Sequence, residues 1–387
     1  MRTMTRSGPF SALLVVTSVS LASAVAAPAL ADDSEQVLSV DHSVSHISTV
    51  PAIAGQPAQV YVRERVQAAT ALRRPNLTDR VVLFVHGAGT PAEVGFDVPY
   101  QDYSWMAYVA QAGYDVFSMD ETGYGPSTRP APMDDPCNLA PEQQMALIPS
   151  VLSDVCPPSY AHQMTTLASD WDDINAVVEY VRGLRHVDKV DLVAWSLGGP
   201  RAAGYASQHP DKVRKLVLLA PVYAPNAPSS PPAVVPAEGV AMNTQSQAEF
   251  IANWDRQVGC AGQYDPAVAD TVWGTMVDSD TVGATWGTGV RRAPLVTSWG
   301  WNLEAASRLK SPTLMVSGEH DKQVNPDGVR QLWRDLGASQ KVFVELACSS
   351  HNAMWETNHQ VLFRATVEWL DRSSLNGEQN AMLRLGD

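Results

Sequence analysis

Short runs of Val, Leu and Phe that alternate with stretches of helical spacing constrain this chain more than any other feature. Such runs fall at residues 80–85, 115–117, 189–194, 213–219, 313–317 and 341–346. The run at 80–85 is continuously apolar after Arg80, the pattern of a strand buried on both faces, and 213–219 is likewise read as a buried strand. Between the runs, residues 104–112 have helical spacing that stops at Gly113, and residues 165–184 read as an amphipathic helix. Further helices are expected over 201–208, near 326–336 and over about 358–372. Residues 40–66 read as two strands joined by a turn at Gly55-Gln56-Pro57. Strands that alternate with helices pack as a mostly parallel sheet. The fold class is therefore α/β, with a mostly parallel central sheet and helices on both of its faces.

Two stretches break the alternation. Residues 130–160 hold many prolines and two cysteines and read as an ordered excursion from the core. Six prolines then run from Pro221 to Pro236, too many for any regular element. Two helices follow, one opened by a Ser246-x-x-Glu249 capping box and one by Asp265 as N-cap with Pro266 in the first helical position. The expected organisation is a signal peptide over 1–31, a first core part over 32–221, a cap insertion over 222–305 and a second core part over 306–387. The cap should lie over the C-terminal edge of the sheet.

The signal peptide is read from Arg2 and Arg6, an apolar stretch from Phe10 to about Ala27, and Ala29-Leu30-Ala31 before Asp32-Asp33. A retained membrane anchor is the competing reading. Ser and Thr dilute the apolar run and a small-residue cleavage site ends it, so the expected location is secreted or periplasmic. Arg2 and Arg6 are not adjacent, which does not support a twin-arginine signal. No second long apolar stretch follows, so no stable membrane insertion is expected after cleavage. The net charge of −14 comes with no basic cluster, and phosphate binding relies on clustered cations. No nucleic-acid partner is expected.

Four cysteines in an exported chain suggest disulfides. Cys137 and Cys156 share the Pro-rich excursion, so a bridge between them is the first choice, leaving Cys260 with Cys348. The competing readings are a free, buried Cys348 and metal binding, but no Cys/His cluster has ligand spacing. No metal and no cofactor are expected.

The chemistry concentrates at Val193-Ala194-Trp195-Ser196-Leu197-Gly198-Gly199. A serine between a buried strand and a helix, with small residues two before and two after, has the nucleophile-elbow pattern. Ala194 stands where Gly is usual. Four further loops follow the same logic. His86-Gly87-Ala88-Gly89, Ser317-Gly318-Glu319-His320-Asp321 and Ser349-Ser350-His351-Asn352 each come at the end of an expected strand, as does Asp120-Glu121-Thr122-Gly123-Tyr124-Gly125-Pro126-Ser127.

These loops, in their order along the chain, with the serine before the aspartate and the histidine last, resemble those of the α/β-hydrolase fold superfamily across nearly the whole mature chain. The resemblance implies Ser196 as nucleophile, Asp321 as the acid after the penultimate core strand, and His351 as the base after the last strand. It also implies an oxyanion hole from the backbone N–H groups of Ala88 and Leu197. Thr122 departs from the family's loop, where Arg is usual. A serine hydroxyl is a poor nucleophile at neutral pH and needs an imidazole to take its proton. An acid would then orient the imidazole and stabilise its charged form.

Glu319 is the rival acid. His86 reads as a loop-structuring histidine and His320 as a surface residue. Five tryptophans, Trp254, Trp273, Trp286, Trp299 and Trp301, fall in the expected cap. They would form its own small core, or one or two would roof an apolar substrate pocket. Trp195 would pack under the elbow rather than touch substrate. The expected activity is hydrolysis of a carboxylic ester or lactone in a small-molecule substrate with an apolar part. The alternatives are an amide or peptide hydrolase resembling proline iminopeptidases, a carbon–carbon bond hydrolase, and, least favoured, a non-catalytic binding protein. In the peptidase reading a cap carboxylate, Asp255, Asp265 or Asp278, would recognise a free amine.

Overall fold

A computed structural model describes residues 36–73 and 77–386, with side chains from all of these but 72 and 73. The expected signal peptide lies outside the described residues. A nine-stranded sheet runs through the molecule. Its strands are β1 (Val37–Ile47), β2 (Pro57–Gln67), β3 (Val81–Val85), β4 (Asp115–Met119), β5 (Val190–Trp195), β6 (Val213–Leu219), β7 (Thr313–Gly318), β8 (Lys341–Leu346) and β9 (Asn380–Leu385). The spatial order is β1-β2-β4-β3-β5-β6-β7-β8-β9. β1 pairs antiparallel with β2, and β2 with β4; every other neighbouring pair is parallel.

The continuous apolar runs behave as two-sided strands. Val82 and Phe84 of β3 point into one hydrophobic cluster with Val193 and Trp195 of β5. Val81, Leu83 and Val85 join Leu192 and Ala194 in the other. The period of two puts successive side chains on opposite faces, and both faces are covered. Helices α1 (Trp105–Gln111) and α7 (His359–Arg372) cover the first face, while α2 (Leu167–Arg185), α3 (Gly198–Gln208) and α6 (Pro326–Asp335) cover the second. Ser104 caps α1 by accepting from the Ala107 N–H, and Thr166 and Ser169 form a reciprocal capping box on α2.

One expectation fails at the C-terminus. β8 is not the last strand, because β9 follows α7 and pairs parallel with β8 along the sheet edge. β7 is accordingly third from last in the sequence, not penultimate. β9 alternates exposed and half-buried residues and has no continuous apolar run, so it carries a weak strand signal. Its Arg384 reaches Glu345 at 2.9 Å and Glu319 at 3.2 Å.

Helices α4 (Gln247–Asp255) and α5 (Pro266–Asp278) interrupt the alternation between β6 and β7, opened by the expected caps Ser246 and Asp265. They do not enclose a core of their own. Trp254 and Trp273 join the cluster on one face of the sheet, Trp301 joins the other, and Trp286 packs with Met133, Leu139 and Leu147 of the Pro-rich excursion and with Met164 just after it. The expectation of a separate tryptophan core is therefore wrong. Each ring is more fully buried against a neighbouring layer than a two-helix insertion would allow by itself. Two small ribbons stitch the same segments together: Met242–Gln245 with Arg291–Pro294, and Thr165–Thr166 with Val296–Thr297. Among the described residues no helix is long and apolar enough to cross a membrane.

Both disulfides follow the first-choice pairing, Cys137–Cys156 with Cα atoms 5.3 Å apart and Cys260–Cys348 at 5.7 Å. The second joins the loop after α4 to the segment three residues before His351. Closing so long a loop stabilises by about 4 kcal/mol in the chain-entropy model. Non-reducing peptide mapping should recover a linked Cys260–Cys348 peptide, and mild reduction should lower activity before global unfolding. Free alkylation of Cys348 in denatured, unreduced protein would refute the tether.

Candidate active site

Only Ser196 and Leu197 separate β5 from α3. Ser196 has φ +58°, a left-handed conformation that costs a non-glycine residue about 1–2 kcal/mol. The surroundings hold it there. Its N–H donates to Leu219 O at 2.9 Å, and its carbonyl accepts from Gly199 at 2.9 Å and Val222 at 3.1 Å. A Cβ at Gly198 would lie 2.4 Å from Val85 O, and one at Gly87 would lie 2.9 Å from Ser196 Cβ. Glycine at both positions is a packing requirement. Ala194 is accommodated with its methyl fully buried.

Ser196, His351 and Ala88 line one cavity of about 100 Å³. Asp321 stands behind His351, its Oδ2 2.9 Å from the imidazole Nδ1. Its Oδ1 accepts from the backbone N–H groups of Gln323 and Val324, both at 2.8 Å. The Ala88 and Leu197 N–H groups have no hydrogen-bond partner among the described residues. Leu197 lines a separate apolar cleft of about 70 Å³ with Pro200, Val222, Trp299 and Trp301.

Glu319 points elsewhere, bonded by Arg384 and by the Cys348 N–H. Those bonds hold its carboxyl below the usual carboxylate range. His320 sits beside Glu319 at 3.8 Å and packs over Gly259. Asp255 accepts from the Tyr264 hydroxyl and Asp265 caps α5. Neither they nor Asp278 line the cavity, so the amine-recognising carboxylate expected for a peptidase is not in place. No tryptophan of segment 222–305 lines it either; Phe250, Asn253, Gln245 and Arg291 do. Trp195 packs in the core cluster as expected, donates from Nε1 to His351 O at 2.9 Å, and also lines the cavity.

The loop after β3 rests on buried charge. His86 is fully buried, with Nδ1 2.7 Å from Gly87 O and Nε2 accepting from the Glu121 N–H at 3.0 Å. Burial, then the Arg201 charge, push its pKa well below the usual imidazole value, so it stays neutral and structures the loop. Arg201 of α3 donates to His86 O at 3.1 Å and Gly87 O at 3.3 Å, and its Nε bonds Asp170 at 2.7 Å. The cation among these acids thus comes from α3, where position 122 supplies none. Asp120 accepts from the Ala92 N–H at 2.6 Å, and burial pushes its carboxyl up to about 7.

Two supporting residues escaped the sequence reading. Glu356 is fully buried and binds the Ser350 N–H at 2.7 Å, Trp254 Nε1 at 2.8 Å and Gln263 Nε2 at 3.0 Å. Gln257 Oε1 accepts from Lys322 N at 3.2 Å and His351 N at 3.4 Å. Together they clamp the loops carrying Asp321 and His351 to the segment after α4. Proximity of Glu356 to His351 in sequence was the one available hint, and polar residues near a motif are too common to single out.

A family model described as the alpha/beta hydrolase fold matches residues 80–357. The chain belongs to the α/β-hydrolase fold family. Among solved structures, this α/β-hydrolase is similar to a serine hydrolase involved in carbazole degradation, at 16% identity over 85% of this chain and 99% of that one, with a TM-score of 0.50. It is also similar to a malate-bound thermophilic esterase from Thermogutta terrifontis, at 16% identity over 86% and 98%, TM-score 0.50. A putative lipase from Sulfolobus solfataricus matches at 13% identity over 87% and 95%, TM-score 0.52. Such identities speak to the shared fold alone. No curated protein matches the chain. The α/β-hydrolase sheet explains why the loops converge: β3, β5 and β7 run parallel, so the segments after them emerge at one edge.

Proposed function

We propose that this chain is an exported serine hydrolase that cleaves a carboxylic ester or lactone through an acyl-enzyme on Ser196. The observation that carries the reading is the cavity at the end of β5. Ser196 opens into it beside His351, whose Nδ1 meets a carboxylate fixed by two backbone N–H groups. With Asp321 accepting from Nδ1–H, the basic lone pair of the neutral ring sits on Nε2. His351 takes the Ser196 proton as Oγ attacks the substrate carbonyl. The tetrahedral oxyanion is met by the Ala88 and Leu197 N–H groups, which have no competing partner among the described residues. The imidazolium then protonates the leaving alcohol, and water repeats the sequence to release the acid.

Segment 222–305 acts as a cap in this reading, joined by residues 130–164, since α4 supplies Phe250 and Asn253 to the cavity. The apolar cleft beside Leu197 takes the apolar part of the substrate. Two disulfides suit an oxidising compartment outside the cytoplasm.

A rate comparison tests the bond type. p-Nitrophenyl esters of increasing acyl length should be hydrolysed faster than aminoacyl-p-nitroanilides, with a short-chain optimum set by the small cavity. Preferential release of p-nitroaniline would move the assignment to the peptidase class.

A further inference from the structure

The cavity that holds Ser196 carries a cation and no acid. Arg291 lines it, and its guanidinium presses on the loop after β3: a Cβ at Gly89 would lie 2.6 Å from Arg291 Cζ. Gly89 itself has φ +78°, and it directly follows Ala88. The guanidinium therefore sits one residue from a proposed oxyanion donor.

Its partners are neutral amides. Nη1 donates to Asn243 at 2.7 Å and Nε to Gln245 at 3.3 Å, both from the facing strand of the ribbon. Nη2 has no hydrogen-bond partner, and no carboxylate lies within ion-pair distance, among the described residues. The adjacent Arg292 shows the alternative. On the opposite face of the same strand it is saturated by Asp280 at 2.6 Å and Asp134 at 2.8 Å. The chain has 41 acidic residues against 27 basic ones, so a half-buried cation left without an acid is not a by-product of composition. Burial works against that charge and draws the Arg291 pKa down, yet an arginine remains protonated at any physiological pH.

We propose that Arg291 is a specificity residue that binds an anionic carboxylate of the substrate, making half-esters of short dicarboxylic acids, or lactones bearing a free carboxylate, the preferred class. The inference rests on ester hydrolysis at Ser196. A guanidinium meets a carboxylate with charge-assisted, geometrically matched hydrogen bonds. It would hold the substrate's free end against the wall next to Ala88 while the ester carbonyl faces Ser196. A cavity of about 100 Å³ limits the spacer to a few carbons.

The test compares monoethyl glutarate with diethyl glutarate at neutral pH, with product acid and alcohol quantified by chromatography. Wild-type protein should favour the monoester at least ~10-fold in kcat/KM, the size of one charge-assisted contact. Arg291→Gln should collapse that ratio, and Arg291→Lys should restore part of it. Reading the ratio cancels any general loss from loosening the ribbon. A wild-type preference for the diester, or an unchanged ratio in Arg291→Gln, overturns the assignment. Calorimetric titration with glutarate separates this claim from the catalytic one. If neither ester is cleaved, ester hydrolysis at Ser196 fails, while glutarate binding that Arg291→Gln weakens at least ~10-fold still supports the anion site. No glutarate binding to wild-type protein overturns it.

Discussion

Ser196→Ala should lower kcat by about 10⁶ and leave the fold unchanged, because removal of a nucleophile that works as a unit with its base abolishes the covalent route. The alanine methyl occupies the space of the serine Cβ, and the hydrogen bonds that hold position 196 at φ +58° are all backbone bonds. Circular dichroism and the unfolding midpoint should therefore match wild type. A fluorophosphonate probe should label the wild-type protein at Ser196 and leave the variant unlabelled. Labelling at another serine with activity retained would remove the central claim.

Asp321→Asn should cost about 10⁴ in kcat through a different failure. The asparagine carbonyl can still accept from Gln323 and Val324, so the loop after β7 should keep its shape. What changes is the partner of His351 Nδ1. An amide neither stabilises the imidazolium nor enforces the Nδ1–H tautomer, and the ring no longer presents a base to Ser196. The buried setting amplifies the loss, since Asp321 and His351 are each about 5% exposed or less. Glu319→Gln serves as the control. Its carboxylate is engaged by Arg384 and the Cys348 N–H, so the variant should retain kcat within a few-fold. Equal damage from both substitutions would mean the acid had been misassigned.

Much of this architecture was legible because it is local. The runs at 213–219 and 341–346 became β6 and β8 with the expected bounds, since β-branched, aromatic and leucine side chains dominate both and their few charged residues sit near a strand end. The caps at Ser246 and Asp265 were readable because a side chain two or three residues from a free N–H is the cheapest way to satisfy it. The elbow was readable for a related reason. Gly87 and Gly198 face atoms 2.4–2.9 Å from any Cβ they would carry, so close approach leaves a mark in residue size.

What escaped the sequence is set by contacts between segments far apart in the chain. β9 is a strand because β8 offers a free edge, not because its own residues insist on it. Four of the five tryptophans of segment 222–305 went to three different clusters, because burial is decided by which layer lies nearest. Trp195 and the neutral partners of Arg291 were equally invisible, since nothing in a linear pattern says which side chains converge on a cavity. By itself the sequence determined the strands, the turns and the order of the loops after them, all properties of residues within a few positions of one another. Only the tertiary structure decided that Glu356 and Gln257 grip the loops of Asp321 and His351, and that one arginine of an adjacent pair faces acids and the other an acid-free cavity. Those outcomes depend on long-range packing and on charge left unpaired in three dimensions, neither of which is encoded in any single stretch of chain.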